Sequence, residues 1–417
     1  MKLQLILSLT LLLGINLNLF TQVTGCTDPL ANNYNPNANI NDGSCTYNLT
    51  IYNPELRFLL PDEINESSGL AYYDGRLFTI NDSGGEPIVY GFDSISGEIT
   101  QRLSVSAVNV DWEALAIDNS YLYIGDFGNN VGTRDDLVVY KLSLSDIPES
   151  GNAIIGSETI SFTYSDYTGK STDKKSHNFD CEAFIATDSW LYLFSKNRGD
   201  QKTKLYRLSK TPGTHTAELL YEYDVKGLIT GADFNKVSNE VTLIGYVDQT
   251  YTPFIWLLWD FRFEEFFSGN KRRLDMPNMV ATQTEAIAYT KGKNEIITSE
   301  GNILFSESAY NFNSGKWTNG SPSGTDDYKV TAFDFNISPN PIKKGKLNID
   351  ISDLPTGEYQ LEVYDTMGRK INTGKYSMTK KSGKTKIKLK INELKSGIYF
   401  IRLISGGKII EKRFIKS

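Results

Sequence analysis

The sequence predicts an all-β protein: a β-propeller of five or six blades followed by a small immunoglobulin-like β-sandwich. Three observations predict it. One short stretch recurs along the first three quarters of the chain. Each recurrence opens a unit of several apolar runs separated by polar turns. The last eighty residues reverse the charge of everything before them and alternate lysine with apolar residues.

The recurring stretch is Asp111-Trp112-Glu113-Ala114-Leu115-Ala116-Ile117. It returns as Asp180-Cys181-Glu182-Ala183-Phe184-Ile185 and as Gln283-Thr284-Glu285-Ala286-Ile287-Ala288-Tyr289. Two weaker copies lack the acid, Ser68-Gly69-Leu70-Ala71-Tyr72 and Thr230-Gly231-Ala232-Asp233-Phe234. Each copy is followed by a second apolar run, such as 121–124 or 190–193, and then a third, such as 137–142. The copies start at 68, 113, 182, 230 and 285. Several strands per period of about 40–50 residues is the pattern of a propeller blade. The wide gap between 113 and 182 is read as one blade plus an insertion at 145–178. Five blades are visible, and segments 49–60 and 303–312 offer a sixth that would close the ring.

The chain has 417 residues, 40% of them hydrophobic and 12% aromatic, enough for sizeable β-rich cores. After Lys2 comes an apolar run over 3–15, too short for a membrane span of about 20 residues and suited to a secretory signal peptide over 1–22. The rival reading, a lipoprotein box at Val23-Thr24-Gly25-Cys26, is disfavoured because Cys26 lies well beyond the apolar run and has another use. No later stretch is long and apolar enough to span a membrane. That other use is a module over 25–47, framed by Cys26 and Cys45 and almost without core-forming residues. So small a unit needs a staple, and in an exported protein a Cys26–Cys45 disulfide supplies it. Asp28, Asn35, Asn37, Asn39, Asn41 and Asp42 carry the hard oxygens that calcium prefers. The same residues equally suit a turn-rich linker. The wording GCTDPLANNYNPNANINDGSC resembles short modules of secreted gram-negative proteins related to thrombospondin type 3 calcium repeats.

The propeller occupies 48–330. Its unpaired Cys181 falls on an expected inner strand and is read as a small buried hydrophobe, with a catalytic pair to His177 as the lesser reading. Residues 341–417 hold 18 Lys plus Arg against 7 Asp plus Glu; the whole chain is −7, so the remainder is −18. The acidic body argues against nucleic acid as a partner. In the tail, lysines alternate with apolar residues in Thr385-Lys386-Ile387-Lys388-Leu389-Lys390-Ile391, a half-buried strand with a solvated lysine face. Residues 336–417 resemble the type A C-terminal sorting domain of type IX secretion. The resemblance is carried by Ser338-Pro339-Asn340-Pro341, Val363-Tyr364-Asp365-Thr366-Met367-Gly368-Arg369, Leu394-Lys395-Ser396-Gly397-Ile398-Tyr399-Phe400 and the final Lys412-Arg413-Phe414-Ile415-Lys416-Ser417. It implies the secretion translocon and its sorting peptidase as partners, and a protein exported through the periplasm to the outer cell surface or the medium.

Inner strands line a propeller's channel, so Glu113, Glu182 and Glu285, at equivalent places in three blades, are expected to point at one axis. Asp111 and Asp180 stand two residues earlier, on the same strand face. Loops after the second strand add Asn81-Asp82, Asp126 with Asn129, Asn197 and Glu300. Converging carboxylates repel, raise one another's pKa or hold a hard cation. The competing reading has the glutamates accept bonds from backbone amides of the neighbouring blade. The motifs resemble the calcium-dependent six-bladed propellers of the gluconolactonase, strictosidine-synthase and esterase-like phytase kind. That resemblance implies a Ca2+ ion held by an inner-strand Glu and loop Asn or Asp residues. The chain departs from it with only two His and with Glu-Ala in place of Glu-Gly-Pro. Three functions stay open: a binding propeller with a calcium-holding channel, a metal-dependent hydrolase of esters, lactones or phosphoesters, and a purely structural surface protein. No catalytic residue is assigned.

Overall fold

The computed structural model describes residues 22–318 apart from 83, 172, 174, 303 and 304, together with 335–343, 346–351, 357–365, 370–380, 386–391, 394–405 and 408–416. The expected signal peptide, all but its last residue, lies outside the described residues. So does the linker around Ser321-Pro322-Ser323-Gly324.

The propeller has five blades, each a four-stranded antiparallel sheet whose first strand is innermost. Blade 1 is Ser67–Tyr73, Arg76–Asn81, Ile88–Asp93 and Ile99–Val105. Blade 2 is Trp112–Ile117, Tyr121–Asp126, Val138–Ser143 and Glu158–Tyr164. Blade 3 is Cys181–Ala186, Trp190–Ser195, Thr203–Ser209 and Gly213–Tyr223. Blade 4 is Leu228–Asn235, Glu240–Val247, Thr252–Trp259 and Asn270–Asp275. Blade 5 takes three strands from one end of the segment, Thr284–Tyr289, Asn294–Ser299 and Ser308–Asn313, and its outer strand, Glu55–Leu59, from the other. The inner strands neighbour one another in ring order, and that of blade 5 meets that of blade 1.

The two ends therefore complete the fifth blade, and among the described residues there is no sixth. Pairing of Leu59 with Ser308 and Phe58 with Ala309 uses up the strands a sixth blade would need. The ring thus differs in blade number from the six-bladed propellers its motifs resemble. The expected insertion at 145–178 is also corrected. Glu158–Tyr164 is blade 2's own fourth strand, and Ala153–Ile155 adds in parallel to the outer edge of blade 1. The fourth strands of blades 2 and 3 pair in parallel, and Thr50–Ile51 covers the outer edge of blade 4, so these edges are not left open to other chains.

Apolar side chains interleave between blades. Phe127 of blade 2 meets Phe184 of blade 3 edge-on, with ring centroids 5.2 Å apart. Between blades 3 and 4, Phe194, Phe254 and Phe266 are fully buried in one cluster. Each such side chain contributes roughly 1.5–3 kcal/mol through removal from water.

The amino-terminal module carries the Cys26–Cys45 disulfide and two short parallel strands, Thr24–Gly25 and Ile40–Asn41. It rests on blade 4. Asn41 Nδ2 donates to Asp260 Oδ2 at 2.8 Å and Asn270 Oδ1 at 2.9 Å, and Tyr47 packs on Trp259. The module's side-chain oxygens accept local bonds: Asp28 from Leu30 N and Tyr47 Oη, Asn35 from Asn37 N, Asn39 from Val23 N, Asn41 from Gly43 N, and Asp42 from Ser44 N. The disulfide spans 19 residues, and closing a loop of that size contributes about 3 kcal/mol in the chain-entropy account. Unreduced mass spectrometry of the exported protein is expected to find it two hydrogens light. The double change Cys26→Ser and Cys45→Ser is expected to open residues 22–47 to proteolysis first; equal protease resistance of the two forms would count against this role.

The tail forms two further sheets with a core of their own, and its last strand, Lys408–Lys416, touches Glu55–Leu59 of blade 5. Seven strands are seen among its described residues. Asn336–Ser338, Lys346–Asp350 and Lys386–Lys390 form one sheet, and Lys370–Lys380, Gly357–Asp365, Gly397–Ser405 and Lys408–Lys416 the other. Leu347, Ile349, Leu361, Val363, Leu389, Ile401 and Leu403 fill the space between. Lys386 and Lys388 face solvent while Leu389 is buried, as their alternation predicts. Among the described residues no helix is long and apolar enough to cross a membrane.

Candidate functional site

Each inner strand bulges against the second strand of its blade at the same level. The pairing skips Gly69, Glu113, Glu182, Thr230 and Glu285. A bulge leaves one residue out of the ladder and re-aims its side chain. Three of the five positions carry glutamate. The two blades without it use hydroxyls to hold the next inner strand: Ser68 Oγ donates to the Glu113 carbonyl and Thr230 Oγ1 to the Thr284 carbonyl, both at 2.6 Å.

The three glutamates are buried, and Glu182 acts on both of the others. Burial raises the Glu113 carboxyl well above its ordinary range, and Glu182, Asp82 and Asp111 raise it further. Glu182 is pushed up to about 8 by burial, with the Lys196 ammonium opposing. Glu285 is also raised, first by burial; Lys196 opposes, while Glu300 and Glu182 add to the rise. Glu300, largely buried at the mouth, is pushed up to about 7 by burial and then by Asp82. Glu182 thus adds to the rise at both Glu113 and Glu285, but the partners of the three differ.

Glu182 is neutralised. Its carboxylate pairs with the buried ammonium of Lys196, and Arg198 Nη2 lies 3.7 Å away. Burial works against the Lys196 charge, but Glu182 more than offsets it and the ammonium stays well above its ordinary range. Asp180 is also fully engaged: Arg198 Nε donates to it at 2.8 Å, and one oxygen accepts the Asn129 and Cys181 amides. Asp126 pairs with Arg134 at 2.9 Å and accepts the Val110 and Asp111 amides. Asn129 ties blade 2 to blade 3 through Asp180 and the Phe179 carbonyl, and Asn197 accepts from Ser195 and donates to Asp200. Asp180 makes the inter-blade amide bond first considered for the glutamates, accepting Asn129 N, while Asp126 accepts amides leading into its own blade. Gln283 Nε2 donates to Glu300 at 3.0 Å and to Glu285 at 3.4 Å, bridging the two.

Blades 1 and 2 are different. Asp82, Asp111 and Glu113 each offer an oxygen within 4.8 Å of the others. Glu113 is only 3% exposed, and its Oε1 has no hydrogen-bond partner. Asp111 is pushed up to about 7 by burial and by Asp82. The backbone of Gly128 lies directly against these groups. A Cβ there would stand 2.3 Å from Glu113 Oε1 and 2.4 Å from Asp111 Oδ2. Asn81 Oδ1, one residue before Asp82, is buried without a partner too.

Lys196, Arg198, Arg134 and Tyr246 are additions that the motif comparison missed. Lys196 was legible by register. It is the first residue after the second strand of blade 3, the place held by Asp82 in blade 1 and Glu300 in blade 5. Cys181 makes no pair with His177. Its thiol lies 3.5 Å from the Phe194 carbonyl and burial pushes its pKa up, while His177 contacts the Asn130 carbonyl.

The fold and the tail define the class of protein: a secreted β-propeller carrying an export address. Residues 336–417 match the secretion system C-terminal sorting domain, so this segment is the type IX sorting tail and the chain is cargo of that route. No curated protein matches the chain. Among solved structures the chain is similar to exo-beta-1,3-galactanase from Phanerochaete chrysosporium, at 10% identity and a TM-score of 0.44, covering 87% of this chain and 98% of that one. It is similar to the GH32 beta-fructofuranosidase of Bombyx mori at 11% identity and a TM-score of 0.39, covering 88% and 89%. It is also similar to a hypothetical protein from Leishmania major at 13% identity and a TM-score of 0.37, covering 66% and 94%. The activities in those names belong to those proteins.

Proposed function

We propose that the propeller is a binding module of a type IX-secreted protein, displayed at the cell surface or released, whose channel mouth holds a divalent cation beside an extracellular ligand. The observation that carries this reading is the Asp82–Asp111–Glu113 cluster with a buried, unpartnered Glu113 oxygen. Three carboxylates this close repel unless a proton or a cation lies among them. All-oxygen donors select a hard ion, and calcium, with oxygen ligands at about 2.3–2.6 Å, suits oxygens separated by up to about 5 Å. Asn81 Oδ1 is a further neutral oxygen of the type calcium accepts. Glu182, Asp180 and Asp126 already face Lys196, Arg198 and Arg134, so the proposed site narrows to the blade 1 and blade 2 side of the channel. Bound there, the cation would fix the carboxylates and the Gly128 loop.

Calcium titration followed by calorimetry and terbium luminescence tests this. Wild type is expected to bind with one site in the propeller and to melt higher with saturating calcium, by about 2.7 kcal/mol of added stability at a hundredfold excess over Kd. Glu113→Gln removes one of three carboxylates and is expected to weaken binding at least roughly tenfold. Gly128→Ala is expected to do the same with the fold intact, because its methyl displaces two ligand oxygens. Unchanged cation affinity in both variants would reject the site. Turnover of chromogenic esters, lactones or phosphoesters would move the reading to a hydrolase.

A further inference from the structure

We infer that the channel mouth binds a neutral glycan, with Tyr251 as the aromatic surface its sugar ring contacts. The inference rests on the ligand-binding reading above and names the ligand's class. Its first support is the imbalance of donors and acceptors. Among the described residues, the cations named at the well are engaged: Lys196 by Glu182, Arg198 by Asp180 and Asn130, Arg134 by Asp126 and Asp136. Apart from the oxygens assigned to the cation, the acceptor left at the mouth is the Glu300 carboxylate, which takes the Gln283 bond on one oxygen only. Such a wall takes ligands rich in N–H or O–H donors and rejects anions.

The second support is Tyr251. It lies on the loop after the second strand of blade 4, at the same end of the propeller as Asp82, Lys196 and Glu300. Tyr246 links it to the channel: its ring is 5.1 Å from the Tyr251 ring and 5.2 Å from Lys196 Nζ. Tyr251 is nonetheless 42% exposed. Its loop holds two residues in the left-handed region, Gln249 at φ +69° and Tyr251 at +48°, and the Ala281 amide donates to the Thr250 carbonyl. The exposed side chains of Val110 and Val280 lie on loops at the same end. An aromatic and aliphatic rim over an acceptor-lined well matches the two surfaces of a sugar, an apolar C–H face and a hydroxyl edge. A basic peptide also supplies donors, but it would bring positive charge to a site whose carboxylates the proposed cation already neutralises.

Saturation-transfer NMR on the whole secreted protein tests this, using a panel of neutral methyl glycosides with hexalysine and hexaglutamate as controls. Terbium luminescence is measured in parallel. At least one glycoside is expected to bind, and Tyr251→Asn is expected to weaken it about tenfold, the worth of one aromatic contact. Asn tolerates the left-handed backbone, so the loop is kept. Tyr251→Phe should bind as wild type, and both variants should keep terbium binding. Hexalysine binding in place of the glycosides, no glycoside binding by a terbium-competent protein, or full binding by Tyr251→Asn would each overturn the inference. If terbium fails to bind while Tyr251-dependent glycoside binding persists, the cation falls and the glycan stands.

Discussion

Lys196→Met is expected to destabilise the propeller by about 3–5 kcal/mol, the cost of leaving a buried charge without its partner. For a domain of this size that lowers Tm on the order of 10 °C. The ammonium and the Glu182 carboxylate are each only 4% exposed, and Glu285 and Tyr246 also face the same charge. Without it, Glu182 stands beside Glu113 and Asp180 with only the more distant Arg198 in support. The double change Lys196→Met with Glu182→Leu should recover most of the loss, because replacing both members of a buried pair with apolar groups is often neutral or stabilising. Thermal melts of wild type, both single variants and the double variant form the test. A single Lys196→Met variant that melts with wild type would show that the pair does not hold blade 3 to the channel. If instead Lys196→Met raises calcium affinity and leaves Tm unchanged, Glu182 belongs with the cation ligands and the site spans three blades.

The blade pattern was legible because inner strands are buried on both faces and read as short apolar runs behind a fixed polar lead. Glu113-Ala114, Glu182-Ala183 and Glu285-Ala286 marked the inner strands in the sequence, whereas the bulge at each Glu shows only in the strand pairing. Blade number was not legible. Strand Glu55–Leu59 carries no blade signature of its own, and only its pairing with Ser308–Asn313 shows which ring it closes. The site was half legible. Equivalent register led to the expectation that Glu113, Glu182 and Glu285 face one channel, but register says nothing about neutralisation. The cations that take Glu182, Asp180 and Asp126 come from loops, at residues 196, 198 and 134, whose reach depends on tertiary packing. Asp82, Asp111 and Glu113 meet across two blades, a contact between the second-strand loop of one repeat and the inner strand of the next.

Removing residues 336–417 is expected to strand the protein in the periplasm with its propeller intact. Ring closure is complete without the tail: the last inner strand meets the first, and the outer strand of blade 5 is supplied by Glu55–Leu59. The tail has its own two sheets and its own core, with Phe335, Leu347, Val363, Ile401 and Phe414 among the fully buried residues. Two units with separate cores melt separately unless the surface between them is large and apolar. The truncated propeller should therefore keep its Tm within a few degrees and its terbium binding unchanged. Delivery should change completely, since residues 336–417 match the sorting domain over their whole length. Surface labelling of intact cells and fractionation of periplasm and medium separate the outcomes. Surface-exposed truncated protein would show that export does not depend on this address. A truncated protein that unfolds would show that strands of the tail stabilise the ring, and the boundary after residue 335 would have to move.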